Sequence, residues 1–171
     1  MNWPRTIRVE QTFDHPTISD PVSAARQSLS GVLDGVGVAL DEKSVAITVG
    51  SRGIANLPAI IRALVDELTQ RGARPFIVPS MGSHGGGTAS GQTGVLHALG
   101  VTEEAVGAPI RSSMETVEVG RTEDGFPVVI DRLASEADHI LVVNRVKPHT
   151  EFFGPYQSLS LIHISEPTRP Y

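Results

Sequence analysis

Residues 44–88 read SVAITVGSRGIANLPAIIRALVDELTQRGARPFIVPSMGSHGGGT, and their pattern decides the fold class. Ser44–Val49 is a short β-branched run that predicts a buried strand, and Phe76–Val78 predicts a second one. Between them, Asn56 and an early proline predict the start of a helix. Its apolar residues recur at the spacing of one buried helix face and are Ile60, Ile61, Leu64, Val65 and Leu68. This alternation favours an α/β domain with a mainly parallel sheet and flanking helices.

The rest of the chain continues the alternation. The pattern predicts helices at residues 22–34, 91–99 and 131–137, a hairpin of strands 116–119 and 128–130, and a strand at 139–143. The run His139–Val143 is the strongest strand signal in the chain. Glycines follow the predicted helices and mark their ends, as Gly72 and Gly100 do.

Composition narrows the class of protein. The 171 residues include 14 Lys and Arg against 19 Asp and Glu, a net charge of −5. This balance excludes nucleic-acid binding based on overall basicity. Cysteine is absent, which excludes disulfides, thiolate zinc sites and cysteine nucleophiles. Because the apolar runs are too short for a bilayer and no signal peptide is visible, we expect a cytoplasmic protein without a nucleic-acid or membrane partner.

The sequence of the C-terminal residues indicates an origin different from that of the rest of the chain. Leu159–Arg169 matches one reading frame of a common transposon sequencing adapter at each position. We therefore expect residues 159–171 to be adapter read-through and residues 1–158 to be an authentic domain that is cut short near Ser158. On that expectation His163 is not a candidate ligand.

Polar, glycine-rich segments follow three predicted strands. They are Gly50-Ser51-Arg52-Gly53, Gly82-Ser83-His84-Gly85-Gly86-Gly87-Thr88 and Lys147-Pro148-His149-Thr150. Because ligands of parallel sheets bind beyond the carboxyl ends of the strands, we expect Arg52, His84 and His149 to lie on one rim. A guanidinium suits an anion, and imidazoles suit proton transfer near neutral pH. The sequence therefore predicts a pocket for an anionic ligand and proton chemistry.

Each of these residues also has a structural interpretation. The glycine segment lacks the GK[ST] ending of a P-loop and the GxGxxG spacing of a dinucleotide fold, so a plain turn is the alternative. Arg52 and Lys147 are also compatible with surface ion pairs. We interpret His15, His97 and His139 as structural.

These three segments, in this order, resemble the lactate racemase family that uses a nickel pincer nucleotide. The resemblance covers about Ser44 to Gln157 and concerns the N-terminal domain of the family. It implies the first of two α/β domains, with the active site between them. It also implies a nickel pincer nucleotide, which is usually tethered to a lysine, and a small 2-hydroxy acid as substrate.

The resemblance implies a role for individual residues. His84 and His149 would be the two acid/base residues, one on each face of a planar 2-keto acid, while the 2-hydrogen moves as hydride to and from the cofactor. Arg52 matches the family arginine beside cofactor and substrate. The predicted cofactor-binding residues are Arg52, Ser83, Gly85, Gly86 and Lys147. No metal ligand is predicted in this chain.

The sequence also departs from the family pattern. Members that racemise lactate usually carry an Asp three residues before the arginine, where this chain has Val49. This favours another 2-hydroxy acid as substrate. In the family, the tethering lysine and the nickel-ligating histidine lie after the His149 motif, where this chain has the adapter-derived residues. We therefore expect this chain alone to be inactive.

Two other functions remain open at this point. One is a non-catalytic α/β module that binds a nucleotide or phosphate at the same rim. The other is a zinc hydrolase that uses His84 and His149, although neither lies in a HExxH spacing and a third ligand is not apparent.

Overall fold

A computed structural model describes residues 8–10, 12 and 17–145 of the chain. In chain order the elements are α1 (Pro21–Val36), β1 (Ser44–Val49), α2 (Leu57–Gln70), β2 (Arg74–Pro79), a 3₁₀ turn (His84–Gly87), α3 (Ala89–Ala98), α4 (Glu103–Val106), β3 (Thr116–Arg121), β4 (Pro127–Asp131), α5 (Arg132–Ser135) and β5 (His139–Val143). In this part of the chain no helix is long and apolar enough to cross a membrane.

The main sheet is parallel and has the order β2-β1-β5. A single bridge between Ile77 and Ile110 extends it beyond β2. The hairpin of β3 and β4 forms a separate antiparallel sheet. The predicted α/β class, with a parallel sheet flanked by helices, is therefore confirmed.

Strand β1 lies between β2 and β5 and is buried on both faces. Val45, Ile47 and Val49 face α1 and α2 and are at most 2% exposed. Ala46 lies on the opposite face, in a smaller cluster with Phe76 of β2 and other residues near α5. Burial on both sides explains why β1 reads as an apolar run rather than as an alternating pattern.

Helix α2 has the predicted buried face and begins directly after Asn56, as predicted. Asn56 precedes the helix in a left-handed conformation, and its side chain makes no capping bond. At the other end Gly72 has a φ of 84°. The Gly72 N–H donates to the Thr69 carbonyl and the Ala73 N–H to that of Leu68, which is the Schellman pattern. Gly72 therefore ends the helix as the sequence predicts.

Strand β5 lies at the edge of the described sheet and is less buried than its sequence suggests. It pairs with β1, and Ile140 and Val142 are 45% and 49% exposed. The helix predicted at residues 131–137 is shorter, with Asp131 as its cap. The four-residue helix α4 was not predicted, because it is too short to show a period.

An acidic residue ties the start of β5 to the start of β1. The Asp138 carboxylate accepts hydrogen bonds from the Ser44 N–H at 2.9 Å, the Ser44 hydroxyl at 2.7 Å and the Lys43 ammonium at 3.0 Å. These bonds, first of all that from the Ser44 hydroxyl, hold the pKa of Asp138 well below its usual range.

We expect Asp138→Asn to make the stability of the fold less sensitive to acid pH. A carboxylate whose pKa is lower in the folded state stabilises the fold fully above its unfolded pKa of about 3.9. That contribution decreases progressively as pH falls below about 3.9 and is gone once pH has passed the folded value. Between pH 7 and pH 3, the urea midpoint of the wild type should therefore fall more than that of Asp138→Asn. The exposed Asp124→Asn serves as the control. Equal decreases of the urea midpoint in wild type and Asp138→Asn would contradict the prediction.

Candidate functional site

The carboxyl ends of β1, β2 and β5 meet at one edge of the sheet. The loops that follow them are residues 50–53, 80–88 and 144–145 within the described chain, and we call them the strand-end rim. Arg52 and His84 both lie in these loops, as predicted. Lys147 and His149 lie outside the described residues, so their place on this rim stays a prediction.

The rim is joined by a side-chain contact between its first two loops. The Ser51 hydroxyl oxygen lies 2.7 Å from Nδ1 of His84, at hydrogen-bond distance, and the pair is partly buried. The loop after β2 is also connected to β1 through the Ser80 N–H, which donates to the Val49 carbonyl at 2.8 Å. His84 is thus held against the end of the central strand.

Glycine conformations shape the loop that carries His84. Gly85, Gly86 and Gly87 all have φ between 62° and 70°, a left-handed region that other residues rarely adopt. Gly85 also packs against the backbone of Gly91 and Gln92, where a Cβ atom would overlap both. This close approach turns the chain directly from the loop into α3.

Polar side chains of α3 brace the same loop. The buried Gln92 side chain donates from Nε2 to the Gly82 carbonyl at 2.8 Å. The Thr88 hydroxyl oxygen accepts from the Gly91 N–H at 3.1 Å and caps the helix. These bonds fix the backbone on both sides of His84, so the glycine segment is a defined turn and not a loose one.

The loop after β5 contacts the loop after β1. A Cβ on Gly50 would overlap the side-chain oxygen of Asn144 in its present orientation, so the Asn144 side chain lies directly against Gly50. Nδ2 of Asn144 is buried and has no hydrogen-bond partner among the described residues. Arg145 reaches the Gly53 carbonyl at 3.5 Å. All three strand ends therefore meet, although no signal in the sequence indicated that Asn144 lies against Gly50.

The remaining predicted residues differ in their accessibility. Arg52, Ser83 and Gly86 are exposed, whereas His84 and Gly85 are partly buried. Arg52 makes no ion pair within the described part of the chain, which leaves the surface-ion-pair interpretation without a partner there. Arg52 follows Ser51, which contacts the partly buried His84, and an exposed cation on this rim suits an anionic ligand that approaches from solvent.

A mostly apolar cleft adjoins the rim on the sheet face that carries the hairpin. It is lined by Thr48, Met81 and Val142 among others, but by neither Arg52 nor His84. Asp131 also lines it, and burial raises the pKa of this carboxyl. The described residues that line the cleft include no Lys, Arg or His that could bind an anion. The strand-end rim therefore remains the candidate site.

The described residues suit the phosphate group of the implied cofactor better than its metal ion. An exposed glycine turn before α3 and the Arg52 guanidinium suit a phosphate or carboxylate group. Within residues 8–145 as described, however, no three His, Asp or Glu side chains come together to hold a metal ion. The phosphate part of the cofactor thus has candidate partners in this part of the chain, whereas a three-residue metal cluster is not found there.

Val49 has a structural role at the position where lactate-racemising relatives usually carry Asp. Its side chain is 0% exposed and belongs to the apolar cluster between β1 and the helices. It presents no polar group to the rim. At this position the chain therefore has a core residue and no carboxylate.

The fold and the strand-end rim are those of α/β domains that bind ligands at the carboxyl edge of a parallel sheet. The model of one such family, the lactate racemase N-terminal domain, matches residues 38–155. The chain therefore belongs to the lactate racemase N-terminal domain family, as its motifs indicated. A search of curated proteins found no match.

Proposed function

We propose that this chain is the N-terminal domain of a racemase or epimerase that inverts small 2-hydroxy acids. The observation that carries the proposal is the joined strand-end rim, where Ser51 contacts His84 and the next residue, Arg52, is exposed, in a member of this family. An imidazole for proton exchange and a cation for a carboxylate are the two groups that such a substrate requires.

The residues of this chain would divide the work as follows. His84 would take the proton of the substrate hydroxyl at Nε2 and return it, since Nδ1 faces Ser51. Arg52 would bind the substrate carboxylate or a cofactor phosphate. His149 is proposed as the second acid/base residue on the opposite face of the planar 2-keto acid. The implied nickel pincer nucleotide, when bound, would supply the site that accepts and returns the 2-hydrogen as hydride.

The glycine turn would hold the nucleotide part of that cofactor. Ser83, Gly85 and Gly86 precede α3, whose N-terminus favours negative charge, and Gly86 is exposed. Lys147 is proposed to add a positive charge on the same side. The nickel ligands and the tethering lysine are proposed to come from residues other than those described.

A second candidate is a non-catalytic module that binds a nucleotide or phosphate. The same glycine turn and the exposed Arg52 support it. The two candidates differ in one respect. Catalysis requires His84, whereas simple anion binding requires only the turn and the guanidinium.

The test needs the complete protein. The gene would be resequenced through the codon of Ser158, and its natural product expressed with nickel and the cofactor-synthesis enzymes. We expect inversion of D- and L-2-hydroxy acids, with acids other than lactate preferred because Val49 replaces the usual Asp. Chiral chromatography and exchange of the 2-hydrogen measure it.

Controls separate the candidates. Protein without nickel and the 171-residue chain alone should both be inactive. Nucleotide binding without inversion of any 2-hydroxy acid would favour the binding module and overturn the racemase proposal. A small-molecule substrate and a cytoplasmic location remain predictions from the sequence.

A further inference from the structure

Ser51 contacts His84, the acid/base candidate, and the family resemblance assigns Ser51 no role. Its hydroxyl oxygen and Nδ1 of His84 are 2.7 Å apart, although 33 residues separate the two in the chain. The distance is at the short end for a nitrogen–oxygen hydrogen bond. The contact is partly buried, so water competes with it less than at an open surface.

Ser51 contacts the ring of His84 and not its backbone, so the property that it can influence is the orientation of the ring. The His84 N–H donates to the Met81 carbonyl at 3.3 Å, and Gln92 braces Gly82 on the same loop. The backbone is therefore fixed independently of Ser51. Rotation of an imidazole about χ2 is broad and nearly two-fold, and a partner for Nδ1 selects one of its orientations.

We infer that Ser51 is a positioning residue that orients His84 and sets its tautomer. The inference rests on the proposed function: to accept a proton at Nε2, neutral His84 must carry its own proton on Nδ1. The Ser51 oxygen would then accept that Nδ1–H. Because a hydroxyl oxygen can accept the same bond from the protonated ring, the orientation persists while Nε2 gains and loses a proton.

Imidazole ¹⁵N spectroscopy of the 171-residue chain tests the tautomer directly. We expect neutral His84 in the wild type to carry its proton on Nδ1, the minor tautomer of free histidine. Ser51→Ala should shift the population toward Nε2–H, and Ser51→Thr, which keeps the hydroxyl, should restore it. Ser90→Ala removes an exposed hydroxyl from α3 and serves as the matched control. His84→Gln identifies the ring signals.

The wild-type spectrum is decisive even where a variant does not fold. An Nε2–H tautomer at His84 in the wild type would overturn the inference, as would an unchanged tautomer in folded Ser51→Ala. In the complete enzyme, Ser51→Ala should lower kcat about tenfold to a hundredfold with KM within about twofold, since a displaced base impairs the reaction more than binding.

The two proposals fail in different ways. A complete protein that inverts no 2-hydroxy acid overturns the proposed function, whatever the spectra show. A racemase whose kcat is insensitive to Ser51→Ala, with an unchanged tautomer, overturns the role of Ser51 and leaves the racemase proposal intact.

Discussion

Replacing His84 by asparagine is expected to lower the rate of 2-hydroxy-acid inversion by about 10²–10⁴-fold in the complete enzyme, the usual contribution of a general acid/base residue. Asparagine keeps a polar atom close to the position of Nδ1, so the contact with Ser51 can persist. It has no counterpart of Nε2 and cannot exchange a proton near neutral pH. The effect should therefore fall on kcat and not on folding.

The matched control is His97→Asn, which changes an exposed imidazole on α3. We expect it to retain the wild-type rate within about twofold. Inversion and exchange of the 2-hydrogen should be measured together, because a single acid/base residue can be needed in one stereochemical direction more than in the other. A loss of less than about threefold in His84→Asn would contradict the assigned role.

Local signals predicted much of the fold. The bounds of β1 follow from a β-branched run that is apolar on both faces and ends at Gly50. The end of α2 follows from Gly72, because a left-handed residue there lets the last carbonyls of the helix be satisfied. Such features depend on residues close together in the chain, which is why the sequence alone reveals them.

Features that depend on tertiary contacts were harder to predict. The run His139–Val143 suggests burial on both faces, yet Ile140 and Val142 are about half exposed because β5 lies at the edge of the described sheet. The strand order β2-β1-β5 leaves no local signature either. Periodicity reports what a segment can bury, not which neighbour will cover it.

In the site, too, local signals predicted some features, and others depend on tertiary contacts. The position of His84 beyond a strand predicted its place on the rim, since parallel strands end at a common edge. Its partner Ser51 follows another strand, and only the pairing of β1 with β2 brings the two together. A hydroxyl directly after a neighbouring parallel strand was the signal available in the sequence, and it becomes specific only once the strand order is known.

The loop around His84 is built by glycine in two different ways. Gly85 and Gly86 share a left-handed conformation, with φ of 67° and 70°. Only Gly85 also meets other backbone, because Gly91 and Gln92 of the α3 region occupy the place of its missing Cβ. The left-handed conformation is a property of each glycine by itself, whereas the close packing of Gly85 couples the loop to α3.

We expect Gly85→Ala to destabilise the fold by about 2–5 kcal/mol. A left-handed alanine costs about 1–2 kcal/mol, and forcing a methyl group into packed structure costs about 1–3 kcal/mol more. The neighbours are backbone atoms, so no side chain can rotate away to relieve the overlap. Urea unfolding of the 171-residue chain measures the change, and the His84 ring signals should shift with it.

Gly86→Ala separates the two costs. It imposes the same left-handed strain, but its added methyl group meets no atom within 4 Å. We therefore expect a loss of only about 1–2 kcal/mol, with the His84 tautomer unchanged. Equal losses in the two variants would show that backbone conformation alone accounts for the glycines. A larger loss in Gly85→Ala would show that close packing against α3 holds the loop, and with it His84, in place.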